Sequence, residues 1–218
     1  PQFEDPKGPN YTTIEASNNA VLTYHYDPKG NVRPWDRTLY IKVVRGFLRE
    51  GDKITITFGD RSGGSPGMRL QTFCEDSYEF HTLIDPIATY CYQPMPVQPV
   101  IKIIPGKPDR YLAVAPTIRA IDESFSIKFK GEDKWGNPSD QCDIKLCPRA
   151  SHLVQNLPDM ISLKPGEFFG VIEGLLVADA ADLHIDFLDD AGVVMCRTNP
   201  IRIEPAPLSR HFWGDLHG

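Results

Sequence analysis

Ser124-Phe125-Ser126-Ile127-Lys128-Phe129-Lys130 alternates polar and apolar side chains without a break. Successive side chains of a strand point to opposite faces. The stretch therefore predicts a strand with Phe125, Ile127 and Phe129 on a core and its lysines in water. The same period of two runs through Lys53–Phe58, through Leu183, Ile185 and Phe187, and through Ile201 and Ile203. Thr38–Val44 and Phe168–Leu176 are more continuously apolar and read as central strands, buried on both faces. Turn chemistry punctuates the strands at Asp27-Pro28-Lys29-Gly30, Arg49-Glu50-Gly51-Asp52, Trp135-Gly136-Asn137-Pro138, Lys164-Pro165-Gly166 and Asp189-Asp190-Ala191-Gly192. Helical signal is confined to Ala178–Asp182, which reads as one turn. Many short strands between frequent turns predict an all-β protein.

Composition agrees. The chain has 218 residues, of which 41% are hydrophobic and 24% charged, enough to bury a core without a metal or disulfide staple. Its 20 prolines are roughly 9% of residues against an average near 5%, and each removes a backbone donor that a helix interior needs. Lys and Arg number 23 against 29 Asp and Glu, so no basic excess is available for phosphates and nucleic acid is not an expected partner. No apolar run approaches the ~18 residues of a membrane-spanning helix.

The proline-rich run Tyr92–Gln98, the closing-strand pattern Val100–Ile104 and the breaker Pro105-Gly106-Lys107-Pro108 mark a boundary. The expected organisation is two antiparallel β-sandwich domains, residues 1–107 and 108–205, followed by a tail, 206–218. The second domain has the size and strand density of an immunoglobulin-like sandwich. Of the five cysteines, Cys142 and Cys147 flank a stretch that reads as strand. Such a stretch spans about 16 Å, far beyond the ~7 Å Cα limit for a disulfide. The cysteines are expected reduced and mostly buried, with a Cys74–Cys91 bridge left open.

Candidate chemistry is sparse. Gly63-Gly64-Ser65-Pro66-Gly67 matches the Gly-x-Ser-x-Gly pattern of a nucleophile elbow. That turn needs the backbone N–H after the serine, and Pro66 has none. The loop therefore reads as a glycine-rich surface loop leading into a strand at Met68–Phe73. His25, His81, His152 and His184 share no spacing, and Glu123, Asp133 and Asp140 read as turn carboxylates. Trp35 and Trp135 beside turns are expected to pack under them, the alternative being sugar-stacking platforms. Asn10-Tyr11-Thr12 is a glycosylation sequon.

The tail, Phe212-Trp213-Gly214-Asp215-Leu216-His217-Gly218, reads as a short strand ending in two potential ligands. Residues two apart project to one face, so Asp215 and His217 can converge on a cation, though a site needs three or four ligands. This heptapeptide resembles the opening motif of the domain-of-unknown-function 3604 family, whose members are similar to the polymerase-and-histidinol-phosphatase metallohydrolases. Glu50-Gly51-Asp52, Phe58–Arg69 and Glu132–Pro138 resemble the β-rich region that precedes the metal domain there.

The resemblance implies that Asp215 and His217 are metal ligands, with zinc or manganese as the divalent cofactor of the whole enzyme and none held by this segment alone. It implies a sulfate- or phosphate-ester hydrolase whose catalytic barrel follows Gly218. These 218 residues would then be its non-catalytic N-terminal accessory module. The implied partner is the C-terminal hydrolase domain of the same protein, docked on an apolar face through which the isolated segment would dimerise. The alternative is a stand-alone carbohydrate-binding or adhesion module, with Trp35, Trp135 and the Ser62–Gly67 loop as its contacts.

Overall fold

The computed structural model describes residues 1–209, and the protein is all-β: every regular element among them is a strand. No described helix is long and apolar enough to cross a membrane. The strands are β1 (Thr12–Ala16), β2 (Val21–Asp27), β3 (Thr38–Arg45), β4 (Ile54–Phe58), β5 (Glu75–Glu79), β6 (Leu83–Ile84), β7 (Gln93–Pro94), β8 (Val100–Ile103) and β9 (Arg110–Val114). They continue as β10 (Ile118–Ala120), β11 (Phe125–Glu132), β12 (Ile144–Ala150), β13 (Ile161–Leu163), β14 (Gly170–Leu175), β15 (Ala181–Leu183), β16 (Ile185–Leu188), β17 (Val194–Arg197) and β18 (Ile201–Glu204). The chain divides into two compact units. Pro1–Gln71 and Glu79–Pro99 form the first, while Thr72–Tyr78 and the chain from Val100 onward form the second.

The second unit is the immunoglobulin-like sandwich. Its sheets run β14-β11-β9, β13-β12-β16-β17 and β10-β18-β15, and β17 lies alongside β9. All ladders in these sheets are antiparallel except β10 with β18. The alternating segments supply the core as their period demands: Phe125, Ile127 and Phe129 from β11 meet Leu146, Ile185, Phe187 and Ile201. Phe129 stacks on Phe187 at 6.0 Å between ring centres. Each such side chain withdrawn from water contributes about 1.5–3 kcal/mol.

The first unit is built differently, from three antiparallel two-stranded ladders, β1-β4, β2-β3 and β6-β7. Ile14 is its one buried apolar side chain among the described residues. Ring contacts take over part of the core's role: Phe3 with Tyr24, His25 with Tyr40, and Phe58 with Phe80, at centroid distances of 4.6, 4.7 and 5.3 Å.

Several local expectations change. Neither continuously apolar stretch is central: β3 pairs with β2 in a two-stranded sheet and β14 lies at a sheet edge, leaving Val44, Phe168 and Phe169 exposed. Met68–Phe73 is not a strand, because the Arg69 N–H donates to the Asn10 side chain instead of to a ladder. Ala178–Asp182 makes no helical turn; Ala181 already pairs with Ile203. Val100–Ile103 pairs with β5 and groups with the second unit. All five cysteines are free thiols, but only Cys142 is buried. Cys147 and Cys196 are half-buried, and Cys74 and Cys91 are exposed.

Candidate functional site

Asp133 closes β11 at the turn Asp133-Lys134-Trp135-Gly136-Asn137, where Gly136 takes φ +88°. This carboxylate is 4% exposed and accepts four kinds of hydrogen bond. The donors are the N–H of Gly106 (3.0 Å), Trp135 (2.9 Å) and Asn137 (3.0 Å), with the Asn137 amide at 2.9 Å. Burial pushes the Asp133 carboxyl up. The Asn137 amide and the three N–H donors outweigh it and hold the group at about 2.

Asn137, so oriented, donates to the Thr72 carbonyl at 2.8 Å and accepts from the Cys74 N–H at 3.1 Å. Its amide thus substitutes for one rung of a ladder and fastens the segment that leads into β5. Next to it, buried Glu132 takes Arg110 at 2.7 Å and Lys130 at 2.9 Å. Burial raises its carboxyl, and the two cations bring it below the ordinary range.

Ser65 is not on the surface. It is buried, its hydroxyl donates to the Gly8 carbonyl at 2.8 Å, and its oxygen accepts the Gly67 N–H at 3.1 Å. The hydroxyl proton is committed to tying the loop to the N-terminal segment, which is a structural role. Neighbouring Asp60 accepts from Ser62 N–H and the Thr13 hydroxyl, both at 2.9 Å, and these bonds lower its carboxyl. The sequon is absorbed similarly. Thr12 is buried, its hydroxyl donates to the Asn10 carbonyl, and the Asn10 side chain accepts from Arg69.

The tryptophans do not pack under their turns. Trp35 and Trp135 are 45% and 51% exposed. The Lys134 ammonium sits 5.0 Å over the Trp135 ring, and Trp35 lies against His81, 4.7 Å between ring centres. His81 reaches Glu79 at 3.3 Å, while His184 reaches Asp186 at 3.8 Å. Glu123 caps the Ala120 N–H as a turn carboxylate. An open groove of about 550 Å³ between Pro148 and Asp159 includes His152 and Ser151, but Ser151 is spent on the backbone of His184.

Asp215 and His217 lie outside the described residues. Among the described residues no group of three or more His, Cys, Asp or Glu side chains could hold a metal ion. What sequence reasoning missed is Asn137. Its turn was legible, but its partners lie 63 and 65 residues away along the chain.

No family model and no curated protein matches this chain. Among solved structures it is similar to the Escherichia coli adhesin FdeC, at 12% identity and a TM-score of 0.31 over 89% of this chain and 54% of that one. It is also similar to the D00-D0 domain of intimin, at 8% identity and a TM-score of 0.34 over 92% and 96%. The chain thus spans about half the length of the first.

Proposed function

We propose that these residues form a non-catalytic accessory module of a larger metal-dependent hydrolase of sulfate or phosphate esters. The observation that carries the reading is how the polar residues of the resembling segments are used. Ser65, Asp133 and Asn137 each spend their side chains on backbone partners, and Glu132 is closed by two cations. Groups so committed fix loops: the Ser65 hydroxyl proton and both Asp133 oxygens are taken up inside the fold. In this reading the chemistry belongs to the domain that the Phe212–Gly218 motif opens, with Asp215 and His217 among its ligands. The test is metal analysis of the product of the complete gene. One or more equivalents of zinc or manganese are expected, with loss of metal in Asp215→Ala and His217→Ala. Full metal retention in both variants would remove the assignment.

A second reading, a carbohydrate-binding or adhesion module, draws on the two half-exposed indoles. Binding of the 218-residue chain to a neutral polysaccharide, lost in Trp35→Ala or Trp135→Ala, would favour it over the first.

A further inference from the structure

Between Asp27 and Glu50 lie six of the chain's 23 Lys and Arg residues and one of its 29 Asp and Glu. The chain carries a net charge of −6, so this stretch, which holds the tip of the β2-β3 hairpin, β3 and the turn after it, opposes the sign of the whole. Lys29, Arg33, Arg37, Lys42, Arg45 and Arg49 are all exposed. None of the six is in an ion pair among the described residues. In the second unit, by contrast, Lys102, Arg110, Lys130, Arg197 and Arg202 each hold a carboxylate at 2.6–2.9 Å. Cations gathered without counter-charges raise a local potential that collects anions.

The hairpin's register shows which of them share a face. Cross-strand partners of an antiparallel pair project together: Thr23 with Lys42, His25 with Tyr40, Asp27 with Thr38 and, beyond the bulge, Val21 with Arg45. Thr23, His25, Lys42 and Arg45 are exposed, while Leu22, Tyr26, Leu39 and Ile41 of the opposite face are half-buried. On the outward face the His25 ring stacks on Tyr40, 4.7 Å between ring centres and 13° between planes. The Tyr40 hydroxyl donates to the Gly30 carbonyl at 3.0 Å, which fixes the ring pair. Asp27, at the far end, accepts the Lys29 N–H at 2.8 Å. Two cations thus stand beside an ordered aromatic pair, and the hairpin tip continues the positive charge with Lys29, Arg33 and Arg37.

Spacing and surroundings select the anion. At about 3.3 Å per strand residue, Lys42 and Arg45 stand roughly 10 Å apart, and Arg37 roughly another 16 Å along. Nucleic acid presents a phosphate about every 3.4 Å along each strand, a density that these sparse cations do not match. An anionic lipid surface is bound by an apolar face set among basic residues, whereas the outward face here, Val21 apart, offers Thr, His and Tyr. Protein interfaces are depleted of charge at their centre, and here the cations lie on the face itself. A sugar polymer with an acidic group on each unit or on alternate units brings sparse charge for Lys and Arg, hydroxyls for Thr23 and His25, and an extended chain to follow the hairpin.

We infer that the outward face of the β2-β3 hairpin, with Lys42, Arg45 and the His25–Tyr40 pair at its centre, binds an anionic polysaccharide through its carboxylate or sulfate groups. This face needs no hydrolase domain, and its contacts are cations and not the two indoles.

The test is binding of the 218-residue chain to fluorescein-labelled dextran sulfate and polygalacturonate at low and at physiological salt. The first polymer carries sulfate alone and the second carboxylate alone, so the arm that binds names the group, and binding to both assigns either anion. The dissociation constant is expected to rise at least tenfold in Lys42→Gln/Arg45→Gln, exposed changes that leave the fold intact. It should rise with salt as well, and stay unchanged in Lys42→Arg/Arg45→Lys. Lys128→Gln/Lys145→Gln removes the same charge from exposed positions of the second unit and should bind as the parent does. No binding to either polymer, equal affinity in Lys42→Gln/Arg45→Gln, or an equal loss in Lys128→Gln/Lys145→Gln overturns the site. Tighter binding to oligothymidylate, polyglutamate or phosphatidylglycerol vesicles than to either polymer assigns the cations to another class of partner and overturns it too. So does binding of neutral dextran as tight as that of dextran sulfate.

Discussion

Asp133 shows how one side chain converts a turn into a joint. Its folded value of about 2 lies below that of an unfolded aspartate, near 3.9. Ionised Asp133 therefore stabilises the fold fully above the unfolded value, and the contribution is lost as pH falls from about 4 through 2. Asp133→Asn places an amide against N–H donors and should cost about 1–3 kcal/mol at pH 7. It should also flatten the loss of stability between pH 4 and pH 2.5, read as urea midpoints at the two values. A variant as acid-sensitive as the parent would contradict this account. The turn itself was legible, because Asp-x-x-Gly-Asn is turn chemistry. The buried status of the carboxylate was not, because Gly106 lies 27 residues back along the chain. Ser65 repeats the lesson: its hydroxyl partner is 57 residues away, so local sequence showed a glycine-rich loop and not its anchor.

At the level of elements, alternation was a faithful guide only where a second sheet exists to receive the apolar face. Phe125, Ile127 and Phe129 alternate and are buried, and so are Ile185 and Phe187. Ile54, Ile56 and Phe58 alternate equally well, yet in the two-stranded β1-β4 ladder Ile56 is exposed although its cross-strand partner Ile14 is buried. Phe187→Ala should cost about 3–5 kcal/mol, since it opens a cavity in a closed core. Ile56→Ala should stay within roughly 0.5 kcal/mol, as surface changes do; paired denaturation curves would compare them. The Asn137 clamp makes a separate prediction. In Asn137→Ala, amide exchange should quicken severalfold across Thr72–Glu75 and remain unchanged in β11, as measured by hydrogen-exchange mass spectrometry. Acceleration in β11 as well would mean that the residue supports the whole sandwich and not the segment it touches.

One unit of the molecule is a core-rich sandwich; the other is built of two-stranded ladders and holds one buried apolar side chain among the described residues. The all-β class was legible from periodicity and prolines. The small core of the first unit was not, because period two reports which residues share a face and not what covers that face. The most direct measurement is hydrolysis of nitrophenyl sulfate and nitrophenyl phosphate by the 218-residue chain and by the product of the complete gene, with zinc or manganese supplied to both. The account predicts turnover by the complete product alone, abolished by Asp215→Ala. Turnover by the 218-residue chain, or none by a metal-loaded complete product, would contradict it.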